Sequence, residues 1–346
     1  MSRPTDDSLM NRFDEHGLRC FRARDAIVAV LLAALLLVLF EGASIRRAGE
    51  QMNPGVGRDL VLLVGKPAGR LADELPLAGL AHDATAWLSP DEKLAEADGF
   101  DVASQQTGTA AGALPPVTAA AFDPADIGAR PEPRRPLRKL LVTGDSLSTP
   151  LDVQIARRLS SQGVEVVRDP HLGTGISKSF TVDWGQLAAS QVRRHRPDAV
   201  VVFIGANEGF PMPGAGGREV ECCGPDWAAA YATRVRQMAD TYRRDGAARV
   251  YWITLPTPRD PDRQKISRVV NAAIAVAAAP WRAQVRVVDA VKTFTPDGYR
   301  DAMDVRGTST IVREADGIHL NEAGAGLLAD DLLARIRRDF VYEPGR

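Results

Sequence analysis

The chain has 346 residues, 45% of them hydrophobic, enough for one ordinary domain with appendages and a sizeable core. A formal net charge of -1 argues against a bulk electrostatic partner such as nucleic acid, although basic residues are locally dense. Cys20 is isolated and Cys222 and Cys223 are adjacent; with no metal-ligand spacing among His16, His82, His171 and His195, no metal or cofactor is inferred.

The first 25 residues are polar and contain Arg12, Arg19, Arg22 and Arg24. Residues 26–40 then read AIVAVLLAALLLVLF, an uncharged aliphatic run that spans about 22 Å as a helix. Arginines on both flanks can snorkel and residues 42–45 can sit at the interface, so residues 26–45 are expected to be a transmembrane signal anchor. Cleavage is disfavoured because Glu41-Gly42-Ala43 lacks a small-x-small signal. The positive-inside bias is slight, since Arg46, Arg47 and Arg58 follow the run. It leaves residues 1–25 in the cytoplasm and the rest of a single-pass protein on the periplasmic side of the cytoplasmic membrane.

Residues 46–102 read as a membrane-proximal helical region, with short amphipathic helices at 58–64, 68–75 and 80–88 broken by Gly and Pro. They form either a packing subdomain or a docking surface for an integral-membrane partner. Residues 103–136, rich in Ala, Gly, Thr and Pro, read as a linker. From residue 137 to 346 short aliphatic strands, at 138–142, 164–167, 199–203, 250–254 and 285–288, alternate with helical patterns. That alternation predicts an α/β domain with a central parallel sheet covered on both faces. A closing helix is expected at 321–338.

Two motifs within this domain carry chemistry. Gly144-Asp145-Ser146-Leu147 follows the first strand, and Asp316-Gly317-Ile318-His319 comes far downstream. A serine hydroxyl needs a base in hydrogen-bond reach and a carboxylate to orient that base; His319 and Asp316 supply both. Taken singly, Ser146 could merely cap the next helix, Asp316 could be a turn residue and His319 a packed side chain. The order of strand, nucleophile, loop glycine, Gly-x-Asn and Asp-x-x-His favours catalysis.

Over residues 137–340 these blocks resemble the SGNH (GDSL) hydrolase superfamily. The resemblance implies a three-layer flavodoxin-like fold, with Ser146, Asp316 and His319 catalytic and Asn207, in Gly205-Ala206-Asn207-Glu208, as an oxyanion donor. Glu208 stands where the family has aspartate. The resemblance also implies a loop glycine as a second oxyanion donor, Gly175 ahead of Gly173, and the Ser146 N–H as a third. The residues at 210–217 are candidates to line the acyl or alcohol pocket, and Trp184 is either core or a sugar-stacking platform.

The leading expectation is a serine esterase that removes a small acyl group from an ester, an O-acetylated cell-envelope glycan above all. Two alternatives stand beside it. One is an O-acyltransferase working with an integral-membrane acyltransferase partner; the other is an inactive domain that binds glycan.

Overall fold

The computed structural model describes residues 27–28, 42–53, 55–73 and 117–342. The chain divides into two units, residues 1–92 and 93–346. Among the described residues no helix is long and apolar enough to cross a membrane. Most of the expected anchor, and the helix expected at 80–88, lie outside the described residues.

In the first unit α1 (Gly42–Gln51) takes in the residues expected at the membrane interface, and α2 (Val56–Asp73) is one helix where two were expected. Pro67 lies inside it. A proline removes one N–H and crowds the preceding turn, at about 3 kcal/mol, but need not end a helix whose face is packed. That face is packed here: Leu62 is buried, and a Cβ on Gly49 would come within 2.9 Å of its Cδ2.

The second unit runs β1 (Arg135–Pro136), β2 (Lys139–Gly144), α3 (Ser148–Leu159), β3 (Glu165–Pro170), α4 (Trp184–His195), β4 (Ala199–Phe203), β5 (Met212–Pro213), β6 (Glu219–Val220) and α5 (Pro225–Arg243). It continues with β7 (Arg249–Ile253), α6 (Pro261–Ala278), β8 (Val285–Val288), α7 (Ala290–Phe294), β9 (Ala302–Val305), β10 (Thr308–Ile311), α8 (Glu322–Asp339) and β11 (Phe340–Val341). The central sheet has five parallel strands in the order β3-β2-β4-β7-β8. Counted within the sheet this is the flavodoxin-like order, and the chain reverses direction across it between β2 and β4. Right-handed crossovers therefore put helices on both faces: α3 packs on α8, and α4, α5 and α6 pack in series. The central strands are largely apolar because both faces are covered; all five residues of β4 and all five of β7 are buried.

The linker expected at 103–136 is not a free tether over its described part. Residues 117–136 lie along the domain, where β1 pairs in parallel with β11 and the Ala283 N–H donates to the Ala120 carbonyl at 3.0 Å. Glu132 pairs with the buried Arg249 and Asp123 with Arg286. The partners of both acids are more than a hundred residues away in sequence. A cavity of about 530 Å³ lies beneath this strap, beside the starts of β7 and β8 and so at the opposite end of the sheet from Ser146.

Candidate active site

The site stands on the carboxyl ends of three adjacent strands. Gly144 closes β2 opposite Pro170 of β3 and Phe203 of β4, so the segments that follow leave the sheet at one level. Gly144 has φ 145°, and a Cβ there would sit 1.9 Å from the Phe203 carbonyl oxygen. Only glycine lets the strands close up at this point.

Asp145 is fully buried beneath that junction. Its Oδ1 accepts from Leu147 N–H at 3.0 Å, and its Oδ2 from Gly205 N–H at 2.8 Å and Ala206 N–H at 2.7 Å. It thus ties the turn holding Ser146 to the turn leading to Asn207. Burial pushes its carboxyl up to about 6, against the pull of the three amides.

Ser146 is half-buried and does not cap α3; its Oγ lies 2.7 Å from His319 Nε2. His319 Nδ1 lies 2.5 Å from Asp316 Oδ2, while Asp316 Oδ1 accepts from Ile318 N–H at 2.8 Å and His319 N–H at 3.1 Å. Burial alone would raise the Asp316 carboxyl, but these amides and the imidazole outweigh it and hold it below the usual carboxylate value. With Nδ1–H donating to Asp316, Nε2 is left to accept the Ser146 proton.

The loop bearing Asp316 and His319 is braced from outside its own motif. Arg313, buried, donates from Nη1 to the Ile318 carbonyl at 2.8 Å, and Arg259 donates from Nη1 to the Ala315 carbonyl at 3.0 Å. The Asn321 side chain caps α8 by accepting from Gly324 N–H at 3.0 Å, so the helix begins just past His319.

Among the expected oxyanion residues, Gly175 is buried against the Asn207 turn, where a Cβ would sit 3.1 Å from the Asn207 carbonyl oxygen. Gly173 is exposed and its carbonyl accepts from Lys178 Nζ at 2.9 Å. The Asn207 amide donates from Nδ2 to the Thr174 carbonyl at 3.0 Å.

The neighbouring Glu208 is fully buried beside this pair. Its Oε1 accepts from Ile176 N–H at 2.8 Å and Tyr231 O–H at 3.1 Å; its Oε2 accepts from Ser177 N–H at 2.8 Å and Ser177 O–H at 2.5 Å. Burial raises its carboxyl, opposed by those donors. Sequence reading missed Asp145, Ser177, Tyr231 and Arg313. Asp145 had a local signal, an acid directly after an apolar strand; the others had none.

Of the two readings of Trp184 the core one, which the burial preference of tryptophan favours, holds; the expectation that residues 210–217 line the pocket is not met by Phe210 or Met212. Trp184 is completely buried as the first residue of α4, under an Asp183 cap, so it offers no face to a sugar. Phe210 and Met212 also turn into the interior; Phe210 packs edge-to-face on the exposed Phe180 at 5.4 Å. A small cavity of about 20 Å³ sits instead among Leu147, Ala206, Leu255, Pro256, Ile266 and Ile318. Leu147, Ala206 and Ile318 are the immediate chain neighbours of Ser146, Asn207 and His319.

Residues 139–335 match a family described as "Protein of unknown function (DUF459)". No curated protein matches the sequence. Solved structures that are similar include a lipase/acylhydrolase from Enterococcus faecalis, 21% identical over 61% of this chain and 100% of that one, with a TM-score of 0.41. The C-terminal catalytic domain of Streptococcus pneumoniae peptidoglycan O-acetyltransferase A, with a methylsulfonyl adduct, is 13% identical over 60% and 98% of the two chains, TM-score 0.37. A family two carbohydrate esterase from Cellvibrio japonicus is 16% identical over 60% and 63%, TM-score 0.37.

Proposed function

The chain belongs to the DUF459 family, and from the serine centre it carries we propose that it is an esterase working through an acyl-enzyme on a small acyl ester. The carrying observation is the continuous relay from Ser146 Oγ to His319 Nε2 at 2.7 Å and from His319 Nδ1 to Asp316 at 2.5 Å.

In acylation, the Ser146 oxygen adds to the ester carbonyl while its proton passes to His319 Nε2. Negative charge then develops on the former carbonyl oxygen, and the donors assigned to it in this reading are the Asn207 amide and the Gly175 N–H. Collapse breaks the bond to the alcohol, which takes the proton from His319. Water, deprotonated by the same nitrogen, adds to the acyl-enzyme and releases the acid as Ser146 regains its proton. Asp316 holds the imidazole tautomer and stabilises the imidazolium at each stage.

The acyl group we assign is acetyl. A cavity of about 20 Å³ holds little more than one methyl or water, and Leu255 is among the residues that line it. The expected result is that nitrophenyl acetate is turned over faster than the hexanoate by about tenfold or more, and that Leu255→Ala narrows the gap, since a missing methylene contact is worth roughly 10–200-fold in such a pocket. Equal rates for both chain lengths in the unaltered protein would refute the acetyl assignment. Supplying a sugar acceptor in the same assay separates hydrolysis from transfer: faster release of nitrophenol with acetylated sugar as product would show that a hydroxyl replaces water.

We further propose that the alcohol is a cell-envelope glycan and that residues 26–45 anchor the chain, with Ser146 outside the cytoplasmic membrane. Support comes from the uncharged run at 26–40 and its arginine flanks. The full-length chain should then stay with membranes through alkaline extraction; its release into the supernatant would remove the anchor.

A further inference from the structure

Glu208 holds the loop of Gly175 by three hydrogen bonds that no catalytic step uses. Two come from backbone amides, Ile176 N–H on Oε1 and Ser177 N–H on Oε2, both at 2.8 Å. Ser177 Oγ donates to Oε2 at 2.5 Å and itself accepts from Gly209 N–H and Phe210 N–H, at 3.2 and 3.3 Å. The Glu208 carbonyl in turn accepts from Arg263 Nη1 at 3.0 Å.

Gly175 is consequently gripped on both sides by consecutive residues. The Asn207 side chain donates to the carbonyl of Thr174, just before it, and the Glu208 side chain accepts the N–H of Ile176, just after it. The Gly175 N–H shares its peptide plane with the Thr174 carbonyl, and the Ile176 N–H lies in the next plane with the Gly175 carbonyl; with Asn207 tying the first plane and Glu208 the second, the two dihedrals of Gly175 between them are held. Building on the serine-esterase reading, we propose that Glu208 is a positioning residue that sets the main-chain oxyanion donor from the same turn that supplies the side-chain donor. This also accounts for glutamate at a position where aspartate is usual in the resembling superfamily: an aspartate on the same backbone is one methylene short of Ile176 and Ser177.

The chemistry demands a carboxylate and not merely a side chain of that length. Each oxygen receives a backbone N–H, and a backbone N–H cannot reverse its role. In Glu208→Gln, whichever way the amide flips, its NH₂ group faces one of those donors. Tyr231 and Ser177 hydroxyls can turn; the two amides cannot.

The test uses the full-length chain and nitrophenyl acetate, with active serines counted by burst titration. Removing one oxyanion donor costs about 10²–10³ in rate, so a misdirected donor in Glu208→Gln is expected to lower kcat per titrated serine about 10- to 100-fold with KM within about twofold. Ser177→Ala, which deletes one hydroxyl and keeps both amides, should lose about 3- to 10-fold in kcat, and the double variant should lose less than the product of the two. A kcat per serine within twofold of native in Glu208→Gln, or a change confined to KM, overturns the proposal. If Glu208→Gln does not fold, an unchanged kcat in Ser177→Ala overturns it equally. Ser146→Ala run alongside separates the readings: activity retained there removes the esterase, whereas an inactive Ser146→Ala with an unaffected Glu208→Gln removes only the clamp.

Discussion

Ser146→Ala is expected to lower kcat for a short nitrophenyl ester on the order of 10⁴-fold or more. The covalent route needs the oxygen whose proton His319 takes, and Ser146 Oγ stands 2.7 Å from Nε2. His319→Ala should cost a comparable factor, and the double variant little further, because members of one relay are grossly non-additive. What remains would come from Asn207 and Gly175 acting on a direct attack by water. The measurement is initial rate at saturating ester on full-length protein, with thermal unfolding to show that each variant folds. Ser146→Ala with native kcat would end the acyl-enzyme reading, whatever the other variants did.

The second large effect concerns stability and its pH dependence at Asp145. Asp145→Ala would strand three buried amides, those of Leu147, Gly205 and Ala206. At about 1–3 kcal/mol for each unsatisfied buried group, the expected loss is several kcal/mol. Asp145→Asn keeps most of the geometry and isolates the titration. The native carboxyl is raised to about 6 from an ordinary 3.8, with burial the main cause. Between those values the folded chain holds the proton more tightly than the unfolded one. Stability from this group is therefore fully present below about pH 4 and is lost as pH rises through about 6, by about 3 kcal/mol in all. The native chain should accordingly gain on Asp145→Asn as pH is lowered from 7 to 4.5, as read by denaturant unfolding of both proteins. A gap between the two that stays constant or narrows over that range would contradict the assignment.

Glu208 shows where local reading stops. The glutamate sits beside a recognisable Gly-x-Asn, yet its partners at Ile176, Ser177 and Tyr231 lie 23 to 32 residues away on other elements. Nothing in the five residues around it predicts an anion receiver facing two backbone amides. Pro67 and the strap at 117–136 likewise depend on packing, the first on Gly49 against Leu62 and the second on Arg249 and Arg286.

The sequence by itself determined the parallel α/β architecture and the order of the chemical residues. Apolar runs of strand length bounded by turns are local facts, and the spacing of Asp316 to His319 brings that pair together within one turn of chain. Only the tertiary structure decided that Ser146 meets His319 across 173 residues, that Asp145 ties two strand ends together, and that Glu208 accepts the Ile176 N–H beside Gly175. The physical reason is that a buried polar atom must find a partner wherever the fold supplies one, and that partner is set by the sheet order β3-β2-β4, which no local pattern encodes.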